Sequence, residues 1–122
     1  MPRVIVMDED EPLRALLAEW LMSAGYSVRE ASLRDLATGE AVELLVIDLP
    51  RPRLNGAAVV ACLRAAHPAA ALLGLSTQLR ESLPPHSPLV RELGLHRLLA
   101  KPCSRQELLA AAAEALAGRP AR

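Results

Sequence analysis

Short apolar runs alternate with segments of helical periodicity along the whole chain. The runs with strand-like composition span residues 3–7, 26–30, 43–49, 70–75 and 97–100. The segments with helical spacing span residues 12–24, a brief 32–37, 56–66, a weak 89–93 and 105–117. Strict alternation of strands and helices predicts a parallel sheet with helices on both faces. The middle runs LLVIDL and ALLGL are apolar throughout, which is typical of strands covered on both sides.

Several residues predict where the helices begin, end and pack. Asn55 is expected to cap the third helix, while Ser104 and Glu107 form a capping box at the start of the last, which Gly118 ends. The second helix is short, and prolines limit the fourth. The first helix is expected to bury one face, formed by residues at i, i+3, i+4, i+7 and i+8 spacing: Leu13, Leu16, Leu17, Trp20 and Leu21.

Composition narrows the class of protein. The 122 residues are enough for one domain, expected over 1–122, and with 52% hydrophobic and 23% charged residues the chain is globular rather than disordered. A net charge of zero and 2% aromatic residues argue against direct nucleic-acid binding and against docking on anionic membranes. Neither a membrane-spanning run nor a secretory pattern is present, so we expect a cytoplasmic protein.

The candidate chemistry lies where the predicted strands end. Asp8 and Glu9 follow the first strand, and Asp48 follows the third. Ser76 and Thr77 follow the fourth strand, and Lys101 and Pro102 follow the fifth. Because ligands of open parallel sheets bind beyond the carboxyl ends of the strands, these side chains are expected to meet in one crevice.

Each of these residues alone has an ordinary role, as a strand stop, a helix cap or a surface charge. Together, Asp8, Glu9 and Asp48 carry three negative charges, which Lys101 and one divalent cation would balance. Oxygen ligands favour a hard ion, Mg²⁺ above others. In such a site Asp48 is a candidate nucleophile toward phosphorus, and the Ser76 hydroxyl a donor to a phosphoryl oxygen.

At these residues the chain resembles the receiver domain of bacterial two-component response regulators, the CheY-like fold. VIVMDEDEPLRALLAEWLMSAGYSV resembles the first strand, acidic pair and first helix of that family, and LLVIDLPRPRLNG resembles its phospho-acceptor segment. The resemblance implies a doubly wound α/β fold, flavodoxin-like, with five parallel strands in the order 2-1-3-4-5. It also implies that Asp48 accepts a phosphoryl group, with Ser76 at the hydroxyl position and a cis Lys101–Pro102 bond. It places Mg²⁺ on Asp8, Glu9, Asp48 and the backbone carbonyl of Pro50.

The sequence departs from the family pattern at several positions. Glu9 stands where the acidic pair usually has aspartate, and its extra methylene shifts that ligand by on the order of 1 Å. Leu98 replaces the switch aromatic three residues before the lysine, so signalling by rotation of an aromatic ring is not open to this chain. Thr77 replaces a small residue and is expected to shield an acyl phosphate from water. The segment PPHSP alters the fourth helix, which belongs to the family's usual output and dimer face.

Three functional hypotheses follow. The first is a phosphoryl-accepting switch that takes its group from a sensor histidine kinase or phosphotransfer protein and acts on a downstream protein, with homodimerisation left open. Such a protein is no enzyme beyond slow self-phosphorylation and self-dephosphorylation. The second is a pseudo-receiver that binds a partner without phosphorylation, motivated by Glu9, Leu98 and the proline-disrupted fourth helix. The third, a small hydrolase that uses Asp48 covalently, has less support because no general base is apparent.

Overall fold

The computed structural model describes residues 1–32 and 41–118. These residues form a five-stranded parallel sheet in the order β2-β1-β3-β4-β5, as predicted. The strands are β1 (Arg3–Met7), β2 (Ser27–Ala31), β3 (Leu44–Asp48), β4 (Ala71–Ser76) and β5 (Arg97–Ala100). The helices are α1 (Glu11–Ser23), α2 (Pro52–Ala66), α3 (Pro88–Leu93) and α4 (Arg105–Ala117). Beyond its first position, the brief helix predicted over residues 32–37 lies outside the described residues.

The central strands bury both of their faces. In β1, Val4 and Val6 pack into a cluster with α1 and α4, whereas Ile5 and Met7 pack into a second cluster with α2 and α3. The same alternation runs through β3, because successive side chains of a strand point to opposite faces. Two aliphatic cores, one on each side of the sheet, therefore hold the strand ends in place.

The helix boundaries confirm some predictions and correct others. The prediction that Asn55 caps a helix is wrong: α2 begins at Pro52, after an N-cap Arg51 that makes no side-chain cap hydrogen bond. The fixed φ of proline suits the first helical position, which favours a helix start at Pro52. In α4, Ser104 Oγ accepts from the Glu107 N–H at 3.0 Å, and Gly118 is the C-cap, as predicted. The capping box is only half formed, because the Glu107 carboxylate accepts from the Ser82 hydroxyl and not from the Ser104 N–H.

The buried face of α1 is narrower than its apolar spacing indicated. Leu17 and Leu21 are fully buried, but Leu16 is 39% exposed and so does not belong to the core. Ala18, which the spacing left out, is buried in its place. The predicted limit on the fourth helix is confirmed, because α3 has only six residues and ends at Gly94 in the left-handed region.

The outer edge of β5 is covered by the segment that joins β4 to α3. We call residues 82–83 the edge strap. The Leu83 N–H donates to the Leu98 carbonyl at 2.7 Å, and the Leu98 N–H donates to the Leu83 carbonyl at 3.2 Å, in an antiparallel bridge. The strap thus satisfies backbone groups that an open sheet edge would leave unpaired. Within the described ranges, no helix combines the length and apolarity needed to span a bilayer.

Candidate functional site

The predicted site residues converge at the carboxyl edge of the sheet. Asp48 is the last residue of β3 and Ser76 the last of β4, while Asp8 and Lys101 directly follow β1 and β5. The parallel register sets these positions side by side: Met7 pairs with Ile47, one residue before each aspartate. The predicted meeting of strand ends is therefore confirmed for these positions.

Lys101 bridges the two aspartates. Its Nζ donates to Asp8 Oδ2 at 2.9 Å and to Asp48 Oδ1 at 3.0 Å. The side chains are 11% exposed for Lys101, 2% for Asp8 and 17% for Asp48, so the ion pairs lie mostly out of water while Asp48 keeps a path to solvent. One ammonium between two carboxylates leaves a net negative charge in this crevice.

The electrostatics of the crevice shift the pKa values of two of its groups. Burial raises the pKa of the Asp48 carboxyl; the hydrogen bond from Lys101 opposes this rise, and the charges of Asp8 and Glu9 add to it. Burial works to lower the pKa of Lys101, but its hydrogen bonds to Asp8 and Asp48, and the charges of both, outweigh burial and raise it. The site therefore favours the cationic form of Lys101, whereas it disfavours the ionised form of Asp48.

Asp8 is held in place by neighbours that the sequence analysis did not identify as site residues. Its Oδ1 accepts from the Asp10 N–H at 2.9 Å, and Asp10 in turn caps α1 by accepting from the Leu13 N–H. Arg14 Nη1 donates to the Asp8 carbonyl oxygen at 2.9 Å, and Arg14 Nε pairs with Glu30 at 3.0 Å. Nothing in the sequence analysis pointed to Arg14 as a neighbour of Asp8.

Ser76 ends β4, next to Asp48 at the end of β3, but its hydroxyl makes no hydrogen bond to Asp8 or Asp48. Its side chain is fully buried, and its hydroxyl accepts from the Gln78 N–H at 3.1 Å. Its carbonyl accepts from the Lys101 N–H at 2.9 Å, which ties the lysine's backbone to β4. The hydroxyl proton of Ser76 remains available for donation. Thr77, next along the chain, is exposed.

The third acid is not gathered with the other two. Glu9 is exposed and makes no hydrogen bond to another described residue. Across residues 1–32 and 41–118, no group of three or more aspartate, glutamate, histidine or cysteine side chains is arranged to hold a metal ion. Pro50, the predicted source of a carbonyl ligand, is also exposed. Asp8 and Asp48 are thus the two acids that the fold brings around one cation.

Leu98, at the position of the family's switch aromatic, is fully buried. It lies against Gly74 of β4, where an added Cβ would approach Leu98 Cδ1 to 2.7 Å. Its backbone is held on the outer side by the edge strap. The Lys101–Pro102 peptide is cis, as the resemblance implied, and Pro102 itself is exposed.

Comparison with known families assigns the class of protein. The sequence profile of the response regulator receiver domain matches residues 4–113. The chain therefore belongs to the response regulator receiver domain family, whose members are phosphoryl-accepting signalling switches that interact with histidine kinases or phosphotransfer proteins. Receiver domains typically bind Mg²⁺ at their acidic pocket. Comparison with curated protein sequences returns no match.

Solved structures show the same fold. CheY4, a chemotaxis protein of Vibrio cholerae, has a TM-score of 0.75 at 23% identity, with 94% of this chain and 98% of that chain covered. A CheY-like receiver domain protein from Methanospirillum hungatei has a TM-score of 0.75 at 17% identity, covering 96% and 94%. A response regulator protein from Burkholderia pseudomallei, solved with a phosphorylated aspartic acid, a calcium ion and citrate, has a TM-score of 0.71 at 28% identity, covering 97% and 75%.

Proposed function

We propose that this protein is a phosphoryl-accepting switch of a two-component system, and that Asp48 takes the phosphoryl group from a phosphohistidine of a histidine kinase or phosphotransfer protein. The observation that carries the proposal is the pair of contacts from Lys101 Nζ to Asp8 and Asp48. A buried ammonium at the acceptor carboxylate is the group that phosphoryl transfer needs near its developing negative charge.

The geometry supports a direct transfer to Asp48. Asp48 Oδ1 is occupied by Lys101, whereas Oδ2 accepts no hydrogen bond from any described residue and is therefore free to act as the nucleophile. In the step, an Asp48 oxygen forms a bond to phosphorus as the phosphorus–nitrogen bond of the donor breaks, and the donor imidazole keeps that electron pair. Lys101 holds the second Asp48 oxygen throughout, and the Ser76 hydroxyl donates to a phosphoryl oxygen.

The two gathered acids fit a divalent cation. Mg²⁺ is usually bound by one or two carboxylates together with waters and phosphate oxygens, and Asp8 and Asp48 supply two carboxylates at the end of a crevice with net negative charge. We assign these two residues as the ligands; Glu9 and the Pro50 carbonyl, which the resemblance also implied, are exposed and are not gathered with them. When bound, the ion supplies positive charge beside the phosphoryl oxygens.

The remaining parts of the proposal concern setting and partners. We propose a cytoplasmic phospho-acceptor, rather than an enzyme with turnover, that acts on a downstream protein and does not contact nucleic acid directly. Self-dephosphorylation would be slow, because the described hydrogen-bond partner of the Asp48 side chain is Lys101, a cation that cannot act as a general base toward water. We propose that self-phosphorylation from small donors is slow as well. Homodimerisation is left to experiment.

One observation favours a second candidate, a pseudo-receiver that binds its partner without phosphorylation. Glu9 stands apart from Asp8 and Asp48, so the described residues do not form the three-acid cluster that the family pattern implies. If two carboxylates bind Mg²⁺ too weakly, phosphorylation at Asp48 fails and the fold serves only as a binding surface.

Intact-mass measurement after incubation with Mg²⁺ and acetyl phosphate tests the first proposal. We expect the wild-type protein to gain one phosphoryl group and Asp48→Asn to gain none. Asp10→Asn is the matched control, because it removes a nearby carboxylate while asparagine preserves the helix cap. A second arm uses an autophosphorylated histidine kinase as donor. No gain in the wild type, or an undiminished gain in Asp48→Asn, contradicts the proposal.

Titration with Mg²⁺ distinguishes the two candidates. Trp20 lies half-buried on α1, packed against the core that also holds β1, and serves as a fluorescence probe. Amide shifts of residues next to Asp8 give a closer probe. Saturable binding that is lost in the double variant Asp8→Asn and Asp48→Asn supports the switch, and absence of binding into the millimolar range supports the pseudo-receiver.

A further inference from the structure

Ser82 of the edge strap contacts both flanks of the turn that carries Lys101. Its Oγ accepts from the Ala100 N–H at 2.9 Å and donates to Glu107 Oε2 at 2.8 Å. Ala100 ends β5 immediately before Lys101, and Glu107 lies in the first turn of α4, just after the turn. One hydroxyl therefore joins the residue before the lysine to the helix that follows it.

The other contacts of the turn make this hydroxyl important. On its inner side, the Lys101 N–H donates to the Ser76 carbonyl of β4. On its outer side no strand from residues 1–32 or 41–118 pairs with β5, and the backbone there is held by the edge strap: Leu83 at Leu98 and Ser82 at Ala100. The turn is thus fixed from both sides, and the outer attachment nearest to Lys101 is the Ser82 side chain.

Resting on the proposed function, we propose that Ser82 is a positioning residue for Lys101, one that keeps Nζ between Asp8 and Asp48 during phosphoryl transfer. Ser82 acts through the backbone of Ala100 and the carboxylate of Glu107 and does not touch the reacting atoms. An ordered lysine matters because misplacing a reacting or stabilising group by about 1 Å costs up to roughly a hundredfold in rate.

Three variants test this role. Ser82→Ala removes both hydrogen bonds, and Ser82→Thr keeps the hydroxyl. Ser87→Ala is the matched control, because Ser87 lies in the same segment but its side chain makes no cap hydrogen bond. Urea denaturation first establishes that every variant is folded.

Two measurements are made on each variant. Hydrogen exchange of the Ala100 amide and the NMR order parameter of the Lys101 Cε methylene report the turn directly. Phosphorylation by acetyl phosphate with Mg²⁺ is measured over a range of donor concentrations, which separates the maximal rate from the donor KM.

In Ser82→Ala we expect hydrogen exchange of the Ala100 amide to accelerate about tenfold and the Lys101 order parameter to fall. We also expect the maximal rate of phosphorylation to fall about tenfold with little change in KM. Ser82→Thr restores most of each value, and Ser87→Ala resembles the wild type.

The outcomes separate this proposal from the proposed function. If the wild type takes no phosphoryl group, the proposed function fails, while the exchange and order measurements still decide whether Ser82 positions Lys101. Unchanged Ala100 exchange and Lys101 order in Ser82→Ala overturn the positioning role. Equal changes in Ser87→Ala, or a Ser82→Thr variant no better than Ser82→Ala, also overturn it.

Discussion

Gly74 is the position at which the smallest added group should have a large effect. A Cβ on Gly74 would lie 2.7 Å from Leu98 Cδ1, 3.0 Å from Leu95 Cδ1 and 3.3 Å from Leu49 Cδ1. All three leucines are buried in the core on the α2 side of the sheet. Since cores are packed to the density of organic crystals, these side chains must shift into occupied space to admit a methyl group.

We expect Gly74→Ala to lower the free energy of unfolding by about 1–3 kcal/mol, the usual cost of overpacking a core. For a domain of this size the urea midpoint falls by roughly 1 M. The midpoint is measured by Trp20 fluorescence and by far-UV circular dichroism. Gly118→Ala is the matched control: Gly118 has φ −88°, and a Cβ there meets nothing closer than 3.5 Å. That variant should be neutral or slightly stabilised.

The clash with Leu98 makes the two positions energetically coupled. Leu98→Val removes the atom closest to the added Cβ and costs about 1 kcal/mol for the lost methylene. In the double variant the new methyl group occupies part of the space vacated by Leu98. The double variant should therefore lose less unfolding free energy than the two single variants lose together, by at least about 0.5 kcal/mol. Strict additivity, or a Gly74→Ala variant as stable as Gly118→Ala, would refute the reasoning.

Three further predictions concern the site and the helix ends. Asp48→Asn should stabilise the protein near neutral pH, because folding raises the pKa of Asp48 and so disfavours its ionised form. The gain in stability should disappear below pH 3.8, the ordinary pKa of aspartate, where the carboxyl is protonated in both the folded and the unfolded state. Equal stability of the two proteins near neutral pH would contradict this prediction. Lys101→Met leaves the buried Asp8 without its cation and should lower the free energy of unfolding by about 3 kcal/mol. Millimolar Mg²⁺ should then raise the melting temperature of this variant more than it raises that of the wild type. Ser104→Ala should cost about 1 kcal/mol of stability by loss of the α4 cap, whereas Asn55→Ala, at a position that caps nothing, should change it by less than about 0.5 kcal/mol.

Much of the fold was predictable because its signals are local. The boundaries of β5 and α4 agree with the prediction residue for residue, since a short β-type run and a serine cap are read from adjacent positions. The start of α2 was missed because Asn55 is a residue type that favours N-caps, whereas the helix begins earlier, at Pro52, without a side-chain cap hydrogen bond. Asn55 lies inside the helix instead.

The candidate site was predictable in its members but not in its contacts. Parallel strands bring their carboxyl ends to one edge, so Asp8, Asp48 and Lys101 could be placed together from the order of elements alone. Which acids meet depends on side-chain direction, and there Glu9 turned out to stand apart. The contacts of Arg14 and Ser82 were missed because each side chain bonds a backbone group that lies elsewhere in the chain. Arg14 donates to the Asp8 carbonyl, and Ser82 accepts from the Ala100 N–H.

The alternation of apolar runs and helical segments was enough to predict a parallel sheet with helices on both faces, and the strand-end acids were enough to predict an anionic edge, since each signal depends on near neighbours in the chain. The strand order came only from the family resemblance. The tertiary structure alone decided which acids share the Lys101 ammonium and which residues hold these groups in place. Asp8 and Lys101 are 93 positions apart, and their 2.9 Å contact exists only because two cores hold their strands in register. Contacts of this kind depend on packing of the whole domain, which no local pattern encodes.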